Sequence, residues 1–280
     1  MIYSLKDVSK DYQSRNGPVR ALNGLSFDVR PFERVALLGP SGAGKTTLFR
    51  LLNATLRPTS GTLNFDLKDV SVMSRRELRQ MRRRIGTIYQ QHHLVPSLSA
   101  LENTLSGSLG RWSFFETVRN AVRPTKRNVE QAMAALDSVG LADKRNARAD
   151  ELSGGQQQRL TIARVLMQDP DVILADEPFA FLDPALTESI ASLLLDLVQN
   201  KGKRTLVATM HDVSLALRYF PRLVALRDTR VLFDKSPSDV SREDLEMLYS
   251  DESVPEVQLQ AHSDLQESPR EFSYKQHRAR

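Results

Sequence analysis

Residues 35–47 read VALLGPSGAGKTT, and no other stretch constrains the fold as much. A short apolar run, a glycine-rich turn and a helix start form the unit that gathers backbone N–H groups around a phosphate. The segment fits the pattern G-x-x-x-x-G-K-[ST], so Gly39, Pro40, Ser41, Gly42, Ala43, Gly44, Lys45, Thr46 and Thr47 are the expected phosphate-contacting residues. Lys45 is expected to reach the β- and γ-phosphates of a nucleotide, and the Thr46 hydroxyl to ligate Mg²⁺. Such a strand needs parallel neighbours. Apolar runs at 171–175, 206–209 and 223–226, with helical patterns at 46–54, 184–199 and 213–219, predict an α/β domain with a largely parallel sheet. The first thirty residues read differently. IYSLKDVSKDY and LSFDV resemble antiparallel strands, with the charged turn QSRNGPVR between them.

A second run, DVILADEP from Asp171 to Pro178, ends a buried strand in two carboxylates. Adjacent buried acids are costly unless a cation sits between them. Asp176 is therefore expected to hold Mg²⁺ through a water, and Glu177 to polarise the water that attacks the phosphate. Between these two runs lies ELSGGQQQRL, from Glu151 to Leu160. Ser and Gly-Gly followed by a helical pattern build a helix N-terminus with bare N–H groups and a hydroxyl, a second anion site in one chain.

Composition narrows the classes. The chain has 280 residues, 40% hydrophobic and 26% charged, as in an ordinary globular protein. It has no Cys, which removes disulfides, zinc fingers and thiol catalysis. No apolar run approaches the roughly 18 residues that span a bilayer, and MIYSLKDVSKDY has no leader pattern, so a cytoplasmic location is expected. The net charge of +5 is densest in RRELRQMRRR, at Arg75, Arg76, Arg79, Arg82, Arg83 and Arg84. This reads as a solvated amphipathic helix, and without a nucleic-acid motif no nucleic-acid partner is expected. Residues from about 91 to 156 are helix-rich and interrupt the α/β pattern. From 250 to 280 the chain is polar and aperiodic, a composition that reads as a flexible tail.

The order phosphate loop, then LSGGQ at Leu152 to Gln156, then VILADEP resembles the ATP-binding subunits of ABC transporters, over about residues 2–249. The resemblance implies a P-loop NTPase cassette of α/β class, with an antiparallel β subdomain and an inserted helical subdomain at about 91–156. It implies a homodimer stacked head to tail, each LSGGQ capping the ATP on the other subunit's phosphate loop. Ser153, Gly154, Gly155 and Gln156 would then meet the partner's nucleotide. Tyr12 matches the aromatic that stacks on adenine, Gln90 the residue that senses Mg²⁺ and the attacking water, and His211 the switch histidine on the γ-phosphate. Asp183 matches the aspartate of the loop facing the other subunit. Gln91 is a second candidate for the Gln90 role. His92 and His93 carry no metal pattern and read as surface residues.

In that facing loop the chain has Phe179 and Phe181, with Phe181 where the family commonly has Ser. Either both rings pack into their own subunit, or Phe181 crosses to the partner.

LENTLSGSLGRWSFFETVRNAV, RADELSGGQQQR and LADEPFAFLDPAL are most similar to ATP-binding proteins of phosphonate importers, which also serve phosphite. This implies separate membrane permease subunits, a place on the cytoplasmic face of the membrane, and an indirect link to an extracytoplasmic solute-binding protein. Trp112, Phe114 and Phe115 are expected to pack the helical region. An importer for another solute is one alternative. A soluble ABC ATPase is another, but these usually carry two cassettes or a long coiled-coil insertion, and neither is visible. A scaffold with a decayed site would lack Lys45, Asp176, Glu177 or His211, and all four are present.

Overall fold

The structure is a computed structural model that describes residues 1–15, 17–180, 182–199 and 204–249. Strands β1 (Tyr3–Ser14) and β2 (Gly17–Val29) form an antiparallel pair. β3 (Arg34–Leu38) leads through the phosphate loop into α1 (Lys45–Leu52). β4 (Ser60–Phe65), β5 (Lys68–Asp69), α2 (Arg75–Arg83) and β6 (Ile85–Ile88) follow. Next come α3 (Ala100–Ser106), α4 (Phe114–Val122), α5 (Lys126–Ser138) and α6 (Gly154–Gln168). The chain then alternates through β7 (Val172–Asp176), α7 (Pro184–Gln199), β8 (Thr205–Thr209), α8 (Val213–Tyr219) and β9 (Leu223–Arg227). It closes with β10 (Arg230–Lys235) and α9 (Arg242–Leu248).

Two sheets result. One has the order β2-β1-β4-β5, the other β10-β9-β3-β8-β7-β6. The second is parallel except for β10, the antiparallel partner of β9. Its central strands alternate between two cores. Val35, Leu37, Val172, Leu174, Val207, Val224 and Leu226 face the core shared with β1, β2, β4 and α1. Ala36, Leu38, Ile173, Ala175, Leu206, Ala208, Leu223 and Ala225 face the core shared with α6, α7, α8 and α9. Burial on both faces is why these strands read as unbroken apolar runs. Each fully buried Leu or Phe stabilises the fold by about 1.5–3 kcal/mol.

Charged clamps tie the edges. Arg222 Nη1 donates to the Asp28 carbonyl at 2.9 Å and pairs with Glu33 at 2.9 Å, while Nη2 meets Asp234 at 2.6 Å. Arg84 bridges Asp66 at 2.8 Å and Asp171 at 2.5 Å, joining the turn after β4 to the entry of β7.

The α/β expectation and the helix bounds 184–199 and 213–219 match α7 and α8. The expected turn QSRNGPVR is shorter than read, because the β1–β2 ladder continues to Ser14 opposite Gly17. Arg75–Arg83 is a helix with Leu78 and Met81 buried. The packing expected of 112–115 holds only for Trp112, which lies against Leu105, Ala132 and Met167. Phe114 and Phe115 are 77% and 84% exposed. The reason is that α4 turns a polar residue inward. Asn120 is its buried side chain, accepting from Thr125 N at 3.1 Å and Asn128 Nδ2 at 2.7 Å.

Candidate functional site

The phosphate loop hangs from the C-terminal end of β3. At Gly44, the residue before α1, φ is +103°, and a Cβ would lie 2.6 Å from both the Ala21 carbonyl oxygen and Leu22 Cδ2. Only glycine fits there. Lys45 is 7% exposed, and its Nζ donates to the carbonyls of Gly39 and Pro40, the latter at 3.0 Å. Ser41, Gly42 and Thr46 are exposed, while Ala43 is buried and anchors the loop. Pro40, Ser41, Gly42, Gly44, Lys45, Thr46 and Thr47 line one groove together with His211. Tyr12 reaches the same end of α1, its hydroxyl 3.5 Å from Thr47 Oγ1.

The carboxylates arrive on β7. Thr209, buried at the end of neighbouring β8, donates its hydroxyl to Asp176 Oδ1 at 2.7 Å. The same hydroxyl accepts from Glu177 N at 3.0 Å. Glu177 has φ +49°, an uncommon conformation for a residue with a side chain. Its two carboxylate oxygens have separate partners: Oε1 lies 2.7 Å from His211 Nε2, and Oε2 accepts from Gln90 Nε2 at 3.1 Å. A carboxylate held between an amide and an imidazole has the direction of both oxygens fixed. Gln90, not Gln91, makes this contact.

The LSGGQ segment forms the N-terminus of α6 as a capping box. Ser153 Oγ accepts from Gln156 N at 3.4 Å, and Gln156 Oε1 accepts from Ser153 N at 3.0 Å. At Gly155 a Cβ would meet the end of the Leu186 side chain, so α6 approaches α7 closely there. Beside Gly154 the space is open. Asp183 caps α7, accepting from Leu186 N at 2.9 Å. Phe179 is buried against Tyr219, with ring centroids 6.1 Å apart. Phe181 lies outside the described residues.

α6 also grips the site of its own chain. Gln158, 3% exposed, donates to the Pro178 carbonyl at 3.0 Å, directly after Glu177. Arg164 donates to the carbonyls of His92 at 2.9 Å and His93 at 2.5 Å, just after Gln90. His92 is thus no simple surface residue. Burial pushes its pKa below the ordinary histidine value, a hydrogen bond with Gln158 opposes this, and the Arg164 charge adds to it. Thr209, Gln158 and Arg164 were not read from the sequence. Only Thr209, two residues before His211 at a strand end, left a signal, and polar residues on a buried helix face leave none.

Fold and site define a P-loop nucleotide-hydrolysing cassette. The family described as ABC transporter matches residues 22–180. The chain is 47% identical over 233 residues to the phosphonates import ATP-binding protein PhnC of Anaeromyxobacter dehalogenans, covering 83% of this chain and 46% of that protein. It therefore spans about half the length of that relative. It is 42% identical over 238 residues to the phosphite import ATP-binding protein PxtA of Stutzerimonas stutzeri, covering 85% and 84%. Among solved structures, the dimeric post-hydrolysis state of the ATP-binding cassette MJ0796, bound to ADP and Pi, superposes with a TM-score of 0.71 at 31% identity, covering 85% and 100%. The chain belongs to the ABC transporter family, as a nucleotide-binding ATPase cassette.

Proposed function

We propose that this chain is the ATP-hydrolysing subunit of a membrane importer for phosphonates or related phosphorus oxyanions such as phosphite. The observation that carries the chemistry is Glu177 held between His211 and Gln90 beside the groove of the phosphate loop. The names of the relatives support the solute class.

In this reading Gly39 to Thr47 bind the phosphates, with Lys45 on the β- and γ-groups, and Tyr12 stacks on adenine. Glu177 takes a proton from the water attacking the γ-phosphorus, Gln90 positions that water, and His211 contacts the γ-phosphate. The hydroxyl of Thr46, the carboxylate of Asp176 and the amide oxygen of Gln90 are hard donors that suit Mg²⁺ beside nucleotide phosphates. The ion neutralises phosphate charge when bound. Ser153, Gly154, Gly155 and Gln156 serve the partner subunit's ATP, and Asp183 lies at the facing loop, so the site is complete only in the homodimer. Hydrolysis removes the γ-phosphate that bridges the subunits. Residues 1–249 form the cassette, with its helical part at about 91–156; the tail expected at 250–280 lies outside the described residues. The cassette works on the cytoplasmic face beneath separate permease subunits, which in turn meet an extracytoplasmic solute-binding protein. No helix of the described residues is long and apolar enough to cross a membrane.

Uptake tests the reading. Cells deleted for the chain should lose phosphonate or phosphite uptake, and the parent but not Glu177→Gln should restore it. Unchanged uptake of both, with loss of another solute, would reject the solute class.

A further inference from the structure

Helix α4 is built inside out. Phe114, Val118 and Val122 follow one another at four-residue spacing, with Phe115 beside them, so all four share one face. They are 77%, 49%, 84% and 84% exposed in the order Phe114, Val118, Val122, Phe115. Asn120, on the opposite face, is the helix's buried residue. The two phenylalanines pack edge to face, with centroids 5.9 Å apart at 75°. An outward apolar face of this kind marks a contact surface rather than a stray exposed side chain.

The charge around it indicates what it contacts. Between residues 107 and 127 the chain carries Arg111, Arg119, Arg123, Lys126 and Arg127 against one acid, Glu116. That acid is engaged in capping α4, its Oε2 accepting from Ser113 N at 2.8 Å. The basic surface continues onto α2. Gly110, in the link from α3 to α4, lies against Arg83, and Arg79 and Arg83 line a cavity with it that contains no carboxylate. Neither arginine has a carboxylate partner among the described residues. Arg119 lies within α4, and the other bases lie in the segments before and after it, where Arg111 also reaches Asp169 at 4.0 Å and Lys126 reaches Glu130 at 3.8 Å. A short helix with Phe and Val on one face and an excess of basic residues around it matches the boundary between headgroups and acyl chains of an anionic bilayer.

The geometry points to α4 as an interfacial anchor: Phe114, Phe115, Val118 and Val122 enter the outer acyl layer of an anionic membrane, and the surrounding Arg and Lys residues hold its lipid phosphates. This attachment is made by the cassette itself, independently of any permease, and does not rest on the transported solute.

The chain's single tryptophan, Trp112, stands two residues before Phe114 and supplies a reporter. The purified full chain should co-sediment with vesicles of phosphatidylcholine and phosphatidylglycerol, shift its Trp112 emission to the blue, and bind pure phosphatidylcholine weakly. Phe114→Ser/Phe115→Ser should lower partitioning about tenfold or more. Arg119→Gln/Arg123→Gln should lower it on anionic vesicles only, as should added salt. Both double variants alter exposed side chains, and both should keep the parent's ATPase rate and melting temperature. Equal vesicle binding by parent and both variants would overturn the proposal. So would absence of vesicle binding together with phenylalanine-dependent self-association, which would assign the face to a second copy. Capture only by vesicles containing the permease would assign it to that protein and equally overturn the proposal.

Discussion

Glu177 keeps a left-handed backbone that costs a residue with a side chain of order 1 kcal/mol or more. Thr209 holds it there, bonding Glu177 N through its hydroxyl while donating to Asp176. The backbone therefore aims the carboxylate, and His211 and Gln90 fix its two oxygens. Glu177→Gln should keep ATP binding, since Lys45, Thr46 and Asp176 are untouched, and lower hydrolysis about 10²- to 10⁴-fold, the worth of a positioned base. A Gln variant with the parent's turnover in a phosphate-release assay would move the base elsewhere. His92 gives a pH dependence. Its folded pKa is depressed, so the unfolded chain takes the proton more readily, and this contribution to stability is present above the unfolded value of about 6.5 and lost as pH falls through the lower folded value. Melting temperature measured from about pH 8 to about pH 5 should decline, and less steeply in His92→Gln. Glu177 was legible as a carboxylate at the end of an apolar strand, whereas Gln90 and His211 were reached through the resemblance to ABC ATP-binding subunits, helped by each following a strand closely. Thr209 and His92 act through hydrogen bonds and burial that only the fold brings about.

Five of the described α-helices start with one shared device. Ser74 with Glu77, Ser99 with Glu102, Ser113 with Glu116 and Ser241 with Asp244 are reciprocal capping boxes closed by an acid. Ser153 closes the same box with a neutral Gln156. A carboxylate there would complement the helix dipole, yet it would face any anion brought to the same N–H groups. Gln156→Glu should therefore leave the fold as stable or slightly more so, and lower ATP-driven dimerisation and hydrolysis, most strongly at low salt. Sedimentation in the Glu177→Gln background reads this directly, and an undiminished ATP-bound dimer would remove the anion from the N-terminus of α6. Elements with a strong period were legible in the sequence: the apolar strands β3, β7, β8 and β9, and helices α7 and α8. β4, β5 and β10 were not, because SGTLNF, KD and RVLFDK alternate or are too short to stand out until neighbouring strands pair with them. The face of α4 was misread because two adjacent aromatics suggest a core, and the inward anchor is an amide.

At the scale of the whole molecule, α6 holds Gln158 on the peptide after Glu177 and Arg164 on the segment after Gln90, so the helix that begins with LSGGQ is mechanically tied to the Glu177 and Gln90 segments of its own chain. In the dimer proposed above it also meets the partner's ATP, which places both nucleotides in contact with one rigid element. Ser153→Arg should leave ATP affinity of the separate subunit near that of the parent and abolish hydrolysis in the homodimer. Mixing it with Lys45→Ala should restore one working site in the heterodimer, an intact phosphate loop facing an intact LSGGQ. Silence at every mixing ratio, with heterodimers demonstrated, would count against the shared site. The arrangement of β3 has a further effect. Its side chains floor both cores, so neither can open without exposing the other. Amides of β3 and β8 should exchange with deuterium only through global unfolding, while those of α4 exchange through local opening. Heat should melt the β-rich half and the half containing α7 and α8 in one calorimetric transition. Since the phosphate loop hangs from β3, its grip on nucleotide should persist unchanged on warming and disappear with that single transition, not before it.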